Sequence, residues 1–292
     1  HESINMAGVH NLPIIFTVQN NQFAYSSPNE TEFGTPNVAG RGLGYGIESV
    51  IIDGNNIYEV INAMHKARNK ASSGKGPTLI ELVTFRHYGH AGHDPAEYVG
   101  DEVRDFWMDR DPVLRFEESL SREELFTEED FIQLAEKIET EVRETLEWAK
   151  DQEDPDPKEE IQDIFETRSI PVATNDGSKT KTMNVIEAIT NGLDEAMENN
   201  KDVFMMGEDI GAFEGAFKAT KGLHEKYGSS RVLDTPISEG AFMGAAVGAA
   251  LYGKIPIVEL QFFDFVYPAL DQITTEAAKY FWKAGKPVPM VV

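Results

Sequence analysis

Leu12-Pro13-Ile14-Ile15-Phe16-Thr17-Val18-Gln19-Asn20-Asn21-Gln22-Phe23-Ala24-Tyr25-Ser26 is an apolar, β-branched run that stops abruptly at two asparagines. A short continuous apolar run of this kind predicts a strand buried on both faces, as in a parallel sheet. Working outward, residues 2 to 9 predict a short helix. Ser49 to Ile52 predicts a second strand, followed by the turn Asp53-Gly54-Asn55. Ile57 to Ala71 carries apolar residues at helical spacing, Gly74 and Gly76-Pro77 close that helix, and Thr78 to Phe85 predicts a third strand. Strand, helix, strand in this rhythm calls for a parallel sheet with helices on its faces.

The same rhythm returns further along. Pro112 to Lys150 is helical and strongly charged, and Thr127-Glu128-Glu129-Asp130 opens its last helix as a capping box. Asp151 to Lys158 alternates acid and proline and must leave the helix. Arg168 to Thr182, with Pro171, Gly177 and many small polar residues, reads as linker. From Met183 a second α/β unit begins. Asn184 to Asn199 is an amphipathic helix, Val203 to Met206 a strand ending at Gly207-Glu208-Asp209, Lys254 to Leu260 a strand and Asp271 to Trp282 a helix. The expected fold is therefore α/β: two units, each a parallel sheet flanked by helices, spanning 1–164 and 183–292 and joined by a linker over 165–182.

Composition narrows the function. Length (292 residues) suggests two domains, and 41% hydrophobic residues suffice for ordinary cores. A formal net charge of -24 argues against nucleic acid, because a polyanion would be repelled. No run reaches the roughly 18 apolar residues that a membrane span needs. The absence of cysteine rules out disulfides and thiolate metal sites and fits a reducing cytoplasm. The chain starts at His1 without methionine and stops at Val291-Val292 inside a strand-like run, so a fragment of a longer protein is expected.

Three stretches carry chemistry. Asn20-Asn21 follows a strand, where open parallel sheets gather ligands. Asparagine oxygens and loop carbonyls suit magnesium, but asparagine also favours plain turns. Arg86-His87-Tyr88-Gly89-His90-Ala91-Gly92-His93-Asp94-Pro95 packs three of the seven histidines into one loop. Its arginine suits a phosphate and a histidine suits proton movement. A metal site or a polar surface loop are the other readings, and strand geometry would put His87 and His93 on one face and His90 on the other. Finally, Asp234-Thr235-Pro236-Ile237-Ser238-Glu239 precedes the small-residue run Gly240 to Gly253. A carboxylate there suits the dipole of a closely packed helix, whether or not it does more.

Taken together, these stretches resemble a family. Residues 1 to about 150 are similar to the α subunit of thiamine diphosphate-dependent 2-oxo acid dehydrogenases, the E1 component. The match runs through His1 to Ala7, Leu12 to Phe16, Asn20 to Ser26, Gly74 to Glu81 and Arg86 to Asp94. Residues from about 182 onward are similar to the β subunit, through Gly207-Glu208-Asp209, Phe217 to Leu223 and Asp234 to Glu239. The resemblance implies thiamine diphosphate and Mg2+ as cofactors. It makes Asn21 (side chain) and Phe23 (carbonyl) metal ligands, and Arg86 a diphosphate contact. His90 would assist acyl transfer to a lipoyl group, Asp94 would order its loop, and Glu239 would hydrogen-bond the aminopyrimidine. Ile237, Gln261 and Phe265 would line the pyrimidine pocket.

The implied reaction is oxidative decarboxylation of a 2-oxo acid with reductive acylation of a lipoyl-bearing E2 acyltransferase. A homodimer would be equivalent to the family's α2β2 assembly. The family's acidic metal ligand is expected before His1 and a β-half histidine after Val292. Ala91 stands where mitochondrial relatives carry a phosphorylated serine. Alternatives are acetoin dehydrogenase, a transketolase-like enzyme, or a non-catalytic scaffold that keeps the fold. The acyl group is left open.

Overall fold

A computed structural model describes residues 1–154, 156–158, 164–166 and 181–292. Most of the expected linker, 165–182, lies outside these residues. The chain divides into one compact unit, Ala7–Glu153, and another made of Asp154–Val292 with His1–Met6. Both are α/β, with parallel strands and flanking helices.

In the first unit, β1 (Ile15–Asn20), β2 (Glu48–Asp53) and β3 (Thr78–Val83) form a parallel sheet in the order β1-β3-β2. The middle strand is the most apolar, as burial on both faces demands: Leu79 and Ile80 are fully buried. Helix α1 (Glu2–Val9) precedes the sheet, and α2 (Ile57–Ser72) links β2 to β3. The side chain of Asn56 caps α2 by accepting the N–H groups of Tyr58 and Glu59. After the helix, Gly76 takes a φ of 81°, which strains any residue with a Cβ, and a Cβ there would also have to displace the Asn11 side chain, whose Oδ1 would lie 2.2 Å away. In register, Asn20, Val83 and Asp53 end side by side. The residues that follow each strand therefore share the carboxyl edge of the sheet, which is where the asparagine and histidine loops emerge.

Three charged helices follow: α3 (Asp101–Met108), α4 (Pro112–Arg122) and α5 (Glu128–Lys150). Thr127 and Asp130 form the expected capping box on α5. None of these helices contributes a buried residue.

In the second unit, α6 (Val185–Asn199) starts at the N-cap Asn184, itself part of a capping box with Glu187. Strands β4 (Val203–Gly207), β5 (Val232–Asp234) and β6 (Ile255–Glu259) are parallel, in the order β5-β4-β6. Helix α8 (Glu239–Leu251) follows the short α7 (Leu223–Tyr227) and β5. It buries Ala241, Phe242, Met243, Ala246, Val247 and Ala250, the close packing that its small residues allow. Strand β5, only three residues long, was not among the expected strands. The helix expected over 271–282 is broken instead: an α-segment Val266–Asp271, a π-turn Gln272–Ala277 and a last segment Tyr280–Ala284. Thr274 donates its hydroxyl to the Leu270 carbonyl at 2.9 Å, and the Ala278 N–H reaches back five residues to Ile273. A side chain that competes for the i−4 carbonyl loosens the α-ladder and favours this wider turn. Among the described residues no helix is long and apolar enough to cross a membrane.

Candidate functional site

The asparagine turn is built at the end of β1. Asn20 is buried and its amide is engaged at both its nitrogen and its oxygen. Nδ2 donates to Glu81 Oε1 at 2.7 Å, while Oδ1 accepts from Asn29 Nδ2 at 2.7 Å and from the Gln22 N–H at 3.3 Å. Gln22 adopts a left-handed φ of 74°, held by its side chain on the carbonyls of Asn20 (2.8 Å) and Thr84 (3.2 Å). Phe23–Ala24 then pairs antiparallel with Ser27–Pro28. The Asn29 N–H donates to the Gln22 carbonyl at 3.1 Å, which makes Phe23 and Pro28 the non-hydrogen-bonded pair. The Phe23 carbonyl is thereby turned away from the hairpin. Asn21 Oδ1 accepts the Phe23 N–H at 3.3 Å. An amide oxygen and an outward carbonyl on adjacent turns are the hard donors that magnesium takes.

The second loop packs onto the first through aromatic rings. Phe23 meets Phe85 edge-on at 6.2 Å and Tyr98 at 5.9 Å, and Tyr25 lies 4.9 Å from the His90 ring. Arg86 donates to the Tyr25 carbonyl (2.6 Å), the Tyr98 hydroxyl (2.7 Å) and the Tyr88 carbonyl (3.2 Å), with Nη1 3.4 Å from His90 Nδ1. Asp94 accepts the N–H groups of His90 (2.6 Å) and Ala96 (2.9 Å) and the Tyr98 hydroxyl (2.8 Å). Those donors, His90 first, hold its carboxyl below the usual carboxylate range. The Tyr98 hydroxyl is pushed up, by burial first and then by its bond to Asp94. His90 itself is exposed on the rim of a cavity of about 750 Å³ that Arg104 and Met108 also line. The three histidines do not converge, and no group of three or more His, Asp or Glu that could hold a metal occurs among the described residues.

In the second unit, Glu239 is the first residue of α8, and Ile237 just before it is 84% exposed. Gln261 donates to Asp209 Oδ2 (3.0 Å) and the Glu208 carbonyl (3.3 Å). Phe265 stands edge-on to Phe262 at 5.7 Å, and Phe262 to Phe217 at 5.5 Å, all three exposed. The three rings form one exposed apolar surface. Glu208 accepts the Ser238 N–H, and its carboxyl is pushed up by burial first and then by the charge of Glu239. Glu259, opposite Gly207 in the sheet, is also pushed up, by burial first and then by Asp209 and Glu208.

The structure thus groups Asn21, Phe23, Arg86 and His90 in one unit, while Ile237, Glu239, Gln261 and Phe265 belong to the other. Sequence reasoning missed Glu81, Tyr98 and Glu208. The signal for Glu81 was present: one acid in the middle of Thr78-Leu79-Ile80-Glu81-Leu82-Val83, otherwise a buried strand.

Residues 1–158, more than half of the chain, match the family described as dehydrogenase E1 component, and residues 181–291 match the pyrimidine-binding domain of transketolase. The chain is 47% identical over 113 residues to the 2-oxoisovalerate dehydrogenase subunit beta of Pseudomonas aeruginosa, covering 38% of this chain and 32% of that protein. It is 36% identical over 167 residues to the pyruvate dehydrogenase E1 component subunit alpha of Bacillus subtilis, covering 56% of this chain and 44% of that protein. It therefore spans less than half the length of either relative. A solved transketolase from Campylobacter jejuni shares the fold, with a TM-score of 0.56 at 20% identity over 95% of this chain and 43% of that one. An α-type half followed by a β-type half, each matched by its own relatives, places this chain in the dehydrogenase E1 component family.

Proposed function

We propose that the protein is the E1 component of a 2-oxo acid dehydrogenase complex. It would decarboxylate a 2-oxo acid oxidatively and acylate the lipoyl group of an E2 acyltransferase. The observation that carries this reading is the ordered loop from Arg86 to Tyr98, packed ring on ring against the Asn20–Ser26 turn, with His90 presented on its exposed rim. We read 1–164 as the diphosphate- and metal-binding half, 165–182 as linker and 183–292 as the pyrimidine-binding half. A homodimer, in a cytoplasm that suits a chain without cysteine, completes the reading.

Thiamine diphosphate, when bound, supplies the electron sink for decarboxylation. The residues supply position. Asn21 and the Phe23 carbonyl would hold Mg2+, and Arg86 would move a donor from the Tyr25 carbonyl to the diphosphate. Glu239 would hydrogen-bond the aminopyrimidine, and Ile237, Gln261 and Phe265 would enclose that ring. His90 would hold or release a proton at the entering lipoyl sulfur. The test is a panel of 2-oxo acids given to the full-length protein with thiamine diphosphate and Mg2+, reading carbon dioxide release and lipoyl acylation. The identity of the accepted acid assigns the acyl group, and no release from any member refutes the proposal. In His90→Ala, lipoyl acylation should fall further than decarboxylation to an artificial acceptor; equal losses would remove His90 from its role.

A further inference from the structure

Among the described residues Glu81 is the only charged residue buried as a whole, 1% exposed at the centre of β3. No ion pair reaches it among those residues. It receives two hydrogen bonds instead: Asn20 Nδ2 to Oε1 and the Ala39 N–H to Oε2, each at 2.7 Å. A buried carboxylate without a counter-charge is costly, and Leu79 and Ile80 show that packing here calls only for apolar bulk. What a carboxylate provides, and an amide or hydroxyl does not, is an acceptor with no donor face. Facing it, the Asn20 amide has one orientation: nitrogen towards Glu81, oxygen towards the turn. That oxygen accepts the Gln22 N–H and Asn29 Nδ2, two bonds within the turn that carries Asn21 and the Phe23 carbonyl, alongside the Gln22 side chain that holds the left-handed φ.

We propose that Glu81 is a positioning residue for the cation-binding turn, fixing the amide polarity of Asn20 and through it the placement of the two oxygen donors at Asn21 and Phe23. This rests on reading those two residues as Mg2+ ligands. The segment at Ala39 is tied to the same carboxylate, so the turn and the chain that follows it are set from one point.

The test is an exchange of polarity between two side chains. In Glu81→Gln, the amide can accept from Asn20 or from Ala39 but not from both. In the double variant Asn20→Asp with Glu81→Gln, the amide introduced on β3 would donate to the carboxylate introduced on β1 and accept from Ala39. That carboxylate would still accept from Gln22 and Asn29, at unchanged net charge. Two measurements are made on the full-length protein: Mg2+ titration with saturating thiamine diphosphate, and hydrogen exchange at the Gln22 amide. The single variant should bind Mg2+ about tenfold or more weakly, the usual size of a loss behind a metal ligand. Its kcat at saturating Mg2+ should be little changed, and Gln22 exchange faster. The double variant should return to within about threefold on both.

Wild-type Mg2+ affinity and Gln22 exchange in Glu81→Gln, with only a lower Tm, would overturn the proposal, as would a folded double variant that recovers neither. If Glu81→Gln does not fold, the double variant against wild type decides in the same way. If the wild type itself takes up no Mg2+, the ligand reading of Asn21 and Phe23 fails, and Gln22 exchange still decides whether Glu81 sets the turn.

Discussion

The carboxylate of Asp94 receives the backbone N–H of His90 at 2.6 Å, so the residue proposed to meet the lipoyl group is anchored by its main chain while its exposed ring rests against Tyr25. The folded-state pKa of Asp94 is lowered, chiefly by this bond and by the Ala96 N–H. The order it confers is therefore fully present above the usual carboxylate range and is lost as pH falls through the lowered value. Hydrogen exchange at His90 and Ala96, corrected for intrinsic rates, should stay slow down to acid pH in the wild type. It should be fast at every pH in Asp94→Asn, and identical protection in that variant would remove Asp94 from this role.

Gly89 is indispensable to the same loop. A Cβ there would lie 1.9 Å from the Asp94 carbonyl oxygen and 2.7 Å from its carbon, backbone atoms that cannot swing aside. Gly89→Ala should cost about 1–3 kcal/mol, the range of an overpacked site. It should release His90 from Asp94, read as faster exchange at His90 and a lower Tm. An unchanged Tm with intact protection would contradict this account.

Glu239→Gln should stop proton exchange at the thiazolium carbon of bound thiamine diphosphate and reduce carbon dioxide release about 100-fold or more, a typical loss for an acid–base group. Its side chain begins α8 without holding up the core, so Tm should scarcely move. Normal decarboxylation by this variant would sink the functional assignment.

Glu259 behaves in the opposite sense to Asp94. Burial first, then Asp209 and Glu208, raise its folded-state pKa, and Oε2 is buried without a partner. The folded state holds that proton more tightly than the unfolded one. Stability therefore declines as pH rises from the usual carboxylate range through the raised value. Glu259→Gln should increase Tm at neutral pH and change it little near pH 4. A lower Tm at pH 7.5 than in the wild type would show that the carboxylate is compensated by groups outside this account.

Helix α6 offers a conservative check. Asn184 accepts the Glu187 N–H at 2.8 Å, and Glu187 returns a bond to the Asn184 N–H at 3.1 Å. Asn184→Ala should cost about 1 kcal/mol and Asn184→Ser much less, measured as the shift in the urea midpoint. Equal losses would mean that the cap is not what stabilises this end.

Much of this was legible because the responsible forces are local. Leu79 and Ile80 announce a strand by their own burial, and Ile15 to Val18 by an apolar, β-branched run, although that strand lies at the sheet edge and none of those four residues is buried on both faces as expected. Thr127 and Asn184 announce helix starts by bonds that span three residues. What escaped depends on distant partners. Val232–Asp234 pairs through only three residues and leaves no periodic trace. The π-turn at Gln272 follows from a side-chain bond inside a pattern that otherwise reads as α-helix. Arg86 reads as a phosphate ligand by residue type. Its present partners, the Tyr25 carbonyl and the Tyr98 hydroxyl, are set by a packing of loops that no spacing reveals. Glu81 meets Asn20 across 61 residues, a contact that only the parallel register of β1 and β3 creates.

The stacking of Trp107 on Phe85, 5.6 Å apart and nearly parallel, gives the protein a built-in optical gauge. The other two tryptophans, Trp148 and Trp282, are 65% and 64% exposed and should emit at the red, solvent-relaxed end of the spectrum. The blue shoulder then belongs to Trp107, whose ring floor is continuous with Phe23 and Tyr98. Emission at that edge should follow any ligand that rearranges the Arg86–Tyr98 loop, without a label and without turnover.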